Sequence, residues 1–189
     1  ILYASMFSVN ASPEGDASAF VKKVVEEALA IVNNNSMTDE AKSQKLSECI
    51  NKYINIKKIA KSVFSPFGFK NLSDGDKSKV EDYLKKYLVR FYAGEGKLSA
   101  MVNAKLVGEL VTTKENNDFA VTTKFSKGES GKPTEITWII SDNSIFYVII
   151  ENVNQIITLR SEMSAAMNAA VSEMSAAKKA AVGDGKLMD

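Results

Sequence analysis

The chain has 189 residues, 45% of them hydrophobic and 25% charged, the composition of a single globular domain with one sizeable core. Its 24 Lys and Arg nearly balance 23 Asp and Glu, so a net charge of +1 offers no field for nucleic acid or for an anionic lipid surface. Histidine is absent and Cys49 is the one cysteine, which excludes an intrachain disulfide, Ser-His-Asp and Cys-His catalysis, and most zinc and haem sites.

Residues Ile1 to Ala11 read as the back half of an export signal, with Val9 and Ala11 where a signal peptidase takes small residues. The alternative is an ordinary N-terminal strand or helix. From Ala17 to Val32, Val21, Val24, Val25, Ala28, Leu29 and Val32 recur on one helical face. Asp16 or Ser18 is the expected cap, and Asn33 to Ser36 ends the helix. Thr38 caps a second helix whose inner face carries Leu46, Cys49, Ile50 and Tyr53. Cys49 lies within that stripe and reads as a small buried hydrophobe.

A third helix is expected from about Ile56 to Phe64, because Pro66 disfavours helical backbone at Ser65. Phe64, Phe67 and Phe69 around Pro66 and Gly68 form a bent apolar segment, either core or the wall of an apolar cavity. Ser73 or Asp74 caps the most regular helix, with Val80, Tyr83, Leu84, Tyr87, Leu88 and Phe91 on its inner stripe. Gly94-Glu-Gly96 breaks it, and Leu98, Met101 and Val102 lead into a sheet.

Leu106–Thr113, Phe119–Phe125, Glu135–Ile140 and Ile145–Ile150 are rich in Val, Ile, Thr and Phe and read as strands. Short polar connections make them an antiparallel meander. Phe119, Val121, Thr123 and Phe125 share one face, as do Ile136, Trp138 and Ile140, and helices must cover that face. The expected fold is α+β, with helices on one face of a four-stranded sheet enclosing an apolar pocket. After Ile150 the apolar spacing turns helical through Ile156, Ile157, Arg160 and Met163, with Asn152 and Asn154 at the turn. Ser-Glu-Met-Ser-Ala-Ala recurs at 161–166 and 172–177, which places Met163 and Met174 on one side of a long helix, near Met167 and Val171. Gly183-Asp-Gly185 ends it. The organisation expected is an extension over 1–16, one domain over 17–170 and an Ala/Met-rich helical tail over 171–189.

Little chemistry is written in the chain. Gly128 to Thr134 is too short for a nucleotide-phosphate loop, and Pro133 stands where a helix would begin, so it reads as a hairpin loop. No metal or cofactor motif occurs, and no Ser-x-x-Lys stands in a catalytic setting. Carboxylates such as Asp39, Glu40, Glu81, Asp82 and Glu151 are scattered at solvent-like positions. What remains is apolar and aromatic surface on helices and a small sheet.

Two stretches resemble the periplasmic phospholipid-binding proteins of the toluene-tolerance, or maintenance-of-lipid-asymmetry, pathway. One runs from Tyr53-Ile-Asn-Ile-Lys-Lys-Ile-Ala-Lys61 through Leu72-Ser73 to the helix with Lys77, Val80, Leu84 and Phe91. The other is Glu151-Asn-Val-Asn-Gln-Ile-Ile-Thr-Leu-Arg-Ser-Glu-Met163. Asn55, Asn152 and Asn154 depart from the family's usual Asp, Gly and Ser. The resemblance implies a non-enzymatic carrier, without cofactor or metal, that works with an inner-membrane ABC transporter complex and an outer-membrane lipoprotein complex. Taken with the apolar faces, it implies a lipid-facing wall of Val24, Ala28, Ile59, Phe64, Phe67, Leu84, Leu88, Phe91, Phe119, Val121, Trp138, Tyr147, Ile149, Val153 and Ile157. Two other readings stand beside it. One is a small-molecule-binding module or enzyme on a cone-shaped α+β fold; the other is an interaction protein that docks through its C-terminal helix.

Overall fold

The computed structural model describes residues 13–93, 102–127 and 132–166. Helix α1 spans Pro13–Val32 and buries Ala17, Val21, Val24, Val25 and Val32. It begins before the expected cap, because a proline in the first turn lacks only an N–H that would have no helical partner. Helix α2, Asp39–Tyr53, starts where Thr38 Oγ1 accepts the Ala41 N–H at 3.3 Å, and Asp39 and Glu40 complement the dipole of its first turn.

Helix α3, Ile56–Phe64, follows after two residues that do unusual duty. Ile54 is extended and bridges in parallel to Ile145, and the Asn55 N–H donates to the Ile145 carbonyl at 2.9 Å. The Asn55 side chain accepts the Lys58 N–H at 3.0 Å, capping α3, and donates to Ser144 Oγ at 3.4 Å. The α2–α3 junction is thus tied to the edge of the sheet. Two single 3-10 turns, Ser65–Phe67 and Phe69–Asn71, meet at Gly68, whose φ of 82° is left-handed backbone open to glycine. Helix α4 is Asp74–Ala93, and Ser73 Oγ accepts the Asp76 N–H at 3.2 Å. Leu84 and Leu88 are buried as expected, but Tyr83 is 71% exposed. Tyr83 stands at the margin of the stripe, where its ring lies under the Lys86 ammonium at 5.9 Å.

The sheet is an open antiparallel meander in the order β1-β2-β3-β4-β5: Ala104–Glu115, Asp118–Lys127, Thr134–Ser141, Ser144–Ile150 and Val153–Asn154. The fifth strand is an addition to the four expected. It returns along β4 through Glu151 and Asn152, both left-handed at φ 48° and 66°, the backbone of a two-residue hairpin turn. Asp142 and Asn143, at 52° and 55°, turn β3 into β4 the same way. Asn154 then accepts the Ile156 N–H at 2.9 Å and caps the last described helix, α5, residues 155–166. The Met repeat beyond Met163, the signal-like start and the 94–101 connection lie outside the described residues, so the boundaries of the extension and tail rest on sequence.

Two irregularities set which side chains face the helices. In β1, Gly108, Glu109 and Leu110 together stand against Thr123, between the pairs Val107↔Lys124 and Val111↔Thr122. Gly108 takes a φ of 72° there. In β4, Ile145 pairs with Ile140 and Tyr147 with Ile139, so Phe146 is an extra, unpaired residue. Residues directly opposite across a ladder share a face. One face therefore carries Leu106, Leu110, Phe119, Val121, Phe125, Trp138, Ile140, Ile145 and Val148, all joined to a cluster centred on α1. This inner face extends through Ile136 to Ile150 and Val153.

A second cluster joins Ile59, Ala60 and Val63 of α3, Phe69, Leu84 and Leu88, and Ile156 and Leu159 of α5. Ile54 packs against both clusters. The fold consists of two packed bodies that meet where the α2–α3 junction touches β4 and where α2 lies against α4.

Candidate functional site

The inner face is apolar but incompletely covered. Val121, Ile140 and Ile145 are buried, whereas Leu106, Leu110, Phe119, Phe125, Ile136, Trp138, Val148 and Ile150 are only half-buried. Large β-branched and aromatic side chains left half-covered on one face of a sheet are a surface for an apolar ligand. Its few polar groups are largely paired within the sheet. Trp138 Nε1 donates to Thr123 Oγ1 at 2.8 Å, and that hydroxyl donates to the Ile136 carbonyl at 3.1 Å. Thr112 Oγ1, on the same face through its pairing with Val121, is buried with no partner.

All the wall residues expected from sequence except Ile149 divide into four sets. Val24 and Val121 belong to the α1 cluster, with Phe119 and Trp138 packed against it, and Ala28 is half-buried on α1. Ile59, Leu84 and Leu88 are buried in the second cluster, with Phe64 and Tyr147 against it. Phe67 and Phe91 stand in neither cluster: Phe67 meets the Phe64 ring edge-on at 6.4 Å, and Phe91 stacks on Tyr87 at 5.8 Å. Val153 and Ile157 are 53% and 60% exposed, where β5 gives way to α5.

Tyr147 and Ile149 are not on the inner face. Simple alternation from Ile145 would point both toward α1, but the extra residue Phe146 reverses the order. Tyr147 pairs with Ile139 and Ile149 with Thr137, on the opposite side. Val148 and Ile150 take their place. Sequence reasoning missed these two, together with Leu106 and Leu110, because a continuous apolar run shows no polar alternation to fix its register. Burial pushes the Tyr147 hydroxyl above its ordinary value, reinforced by the Glu115 and Asp118 carboxylates and opposed by a hydrogen bond with Asn154.

Polar groups elsewhere fasten the two bodies together. Lys58 of α3 donates to Ser141 Oγ, lies 3.8 Å from Asp118 and 4.0 Å from Asp142, and sits 4.7 Å over the Phe146 ring. One ammonium thus holds the turn before β2 and the turn before β4. Arg160 of α5 donates from Nη2 to the Ser62 carbonyl at 2.7 Å, while its buried Nε has no partner. Tyr87 donates to Glu162, joining α4 to α5.

A groove of about 330 Å³ between α1 and α2 is lined by Glu27, Ala30, Ile31, Asn34, Met37, Lys45, Glu48 and Cys49, none of them in the expected wall. Glu27 accepts from Tyr53, Lys52 and Cys49 beside it. Burial and the neighbouring Glu27 push the Cys49 thiol up to about 11, which suits an inert packing residue. Among the described residues no group of three His, Cys, Asp or Glu side chains is placed to hold a metal ion. None of the described helices is long and apolar enough to cross a membrane.

Comparison with known proteins agrees with this architecture. A solved phospholipid-binding protein from Ralstonia solanacearum, determined in complex with a phospholipid, superposes with a TM-score of 0.64 at 18% identity. The match covers 79% of this chain and 86% of that one, and it establishes the shared fold. No curated protein sequence matches the chain. The model of the MlaC protein family matches residues 22–177, from within α1 across the whole sheet and α5. The chain belongs to the MlaC protein family.

Proposed function

We propose that the chain is a periplasmic carrier that shelters phospholipid acyl chains and moves lipid between an inner-membrane ABC transporter complex and an outer-membrane lipoprotein complex. The observation that carries the proposal is the half-buried inner face of the sheet, lying beside two bodies that meet at Ile54. Family membership and the fold shared with a phospholipid-bound protein support it. Each buried methylene is worth about 0.8 kcal/mol, so two acyl chains of some thirty methylenes need shelter on the order of 20 kcal/mol to cross water. An apolar wall supplies that without a reactive group.

In this reading the wall is Ala28, Phe119 and Trp138, joined by Ile136, Val148 and Ile150, with Val153 and Ile157 at its rim. Val24, Ile59, Leu84, Leu88 and Val121 support it from the packed core. The test is native mass spectrometry with lipid extraction on protein purified from a bacterial host. About one phospholipid per chain is expected, and a clean ligand-free mass in repeated preparations would sink the carrier reading.

A further inference from the structure

The near-neutral total charge hides a strong segregation. Between residues 55 and 93 there are nine Lys and Arg against four Asp and Glu, and between 55 and 73 there are four Lys and no acid at all. Of those four, Lys58 is occupied by Ser141, Asp118 and Asp142. Lys57, Lys61 and Lys70 are exposed and have no ion-pair partner among the described residues. The next carboxylates along the chain, Asp74 and Asp76, are held by Lys77 at 3.3 Å and Lys79 at 2.9 Å.

Apolar groups accompany these charges. Ile59, Ala60 and Val63 turn α3 inward, so Lys57 and Lys61 share its outer stripe, and Phe64, three residues on, stands at the border of that stripe and the second cluster. The stripe runs into the 3-10 turn Ser65–Phe67, where Pro66 is exposed and Phe67, which belongs to neither core cluster, meets the Phe64 ring edge-on. Lys70 follows in the next turn. A rigid turn with two half-buried aromatic rings, lysines on both sides and no carboxylate has the chemistry of a bilayer-surface contact.

We infer that the α3 stripe and the following turn form a docking surface for an anionic lipid bilayer, with Lys57, Lys61 and Lys70 facing phosphate groups and Phe64 and Phe67 reaching the acyl boundary. The inference goes beyond the carrier reading and stands independently of it: adsorption to a bilayer and occupancy by a lipid are separate measurements. An acidic protein surface is the competing partner for the same lysines. The phenylalanine pair favours the bilayer, because it offers apolar area that a salt-bridging interface does not require.

The experiment is co-sedimentation of the full chain with vesicles of phosphatidylcholine, alone or mixed with phosphatidylglycerol. Binding to the mixed vesicles at low salt is expected, with none to phosphatidylcholine alone and release as the Debye length shrinks below about 10 Å. The combined variant K57Q/K61Q/K70Q should bind on the order of 100-fold more weakly, since each lysine near an anionic surface contributes roughly fivefold. Phe67→Ser should weaken binding without changing its salt dependence. The control K22Q/K23Q/K45Q removes the same charge from α1 and α2 and should leave binding unchanged. No binding to mixed vesicles at low salt would overturn the inference in favour of an acidic protein partner. Equal losses from the two triple variants would overturn it as unspecific attraction. Lipid occupancy measured in parallel should be the same in the two triple-lysine variants as in the parent chain.

Discussion

Glu27 illustrates what single residues contribute to this fold. The Tyr53 hydroxyl holds its carboxyl below the ordinary value, Lys52 and Cys49 assist, and partial burial opposes them. A carboxylate with a lowered folded value contributes stability that is complete above its ordinary value of 4.5 and is lost as pH falls through the lowered one. Tyr53→Phe should therefore cost about 1 kcal/mol at neutral pH, and urea titrations should show the difference from the parent chain narrowing in acid. Cys49, pushed up to about 11, should react with a chromogenic thiol reagent on the order of 100-fold more slowly than in the unfolded chain. Rapid labelling at neutral pH would contradict its packing role. That role was legible in the sequence, since Cys49 falls in the apolar stripe of α2. The Glu27 cluster was not, because its members lie on two helices more than twenty residues apart.

At the level of elements, the caps and turns were largely readable and the register was not. Thr38 and Ser73 cap the helices they were expected to cap, and the four main strands fall where β-branched residues concentrate. Asn152, which stands where the family usually has Gly, takes left-handed backbone at φ 66°, a conformation Asn tolerates, while Glu151 beside it, at 48°, gave no signal in the sequence. Asn152→Val should lower stability by about 1–2 kcal/mol, whereas Asn152→Gly should be neutral or slightly stabilising, as read from denaturation midpoints. Asn55 gave no sign that it would serve both the cap of α3 and the edge of the sheet. Asn55→Ala should cost about 1–2 kcal/mol, with faster amide exchange at the start of β4.

For the whole molecule, the useful distinction is between side chains that fill the bodies and side chains that line the space beside them. Leu84, 2% exposed, belongs to the first group, and Ile150, half-buried on the inner face, to the second. Leu84→Trp should therefore overpack the second cluster and cost about 1–3 kcal/mol. Ile150→Trp should leave stability nearly unchanged and reduce lipid occupancy several-fold. Equal loss of stability in both variants would make Ile150 core and weaken the proposed wall. The α+β class and the need for a covered face were evident from composition and spacing. The division into two bodies was not, because Ile54, where they meet, looks like an ordinary end of a helix stripe. Charge told a similar story, since a total of +1 averages away the acid-free stretch between residues 55 and 73.

The extra residue in β4 bears on how such walls change through descent. With Phe146 bulged out of the ladder, Val148 and Ile150 line the inner face; were the same residues laid in a regular ladder from Ile145, Tyr147 and Ile149 would swing in and bring a phenol with them. Deleting Phe146 would remove the bulge and leave Val148 and Ile150 inside, whereas flattening the bulge with every residue kept would exchange half the lining of the strand. Relatives aligned without a gap through this strand would have their lining residues read from the wrong side of the sheet. Lineages that differ in this one residue can therefore keep the same lining while their sequences, column by column, look shifted.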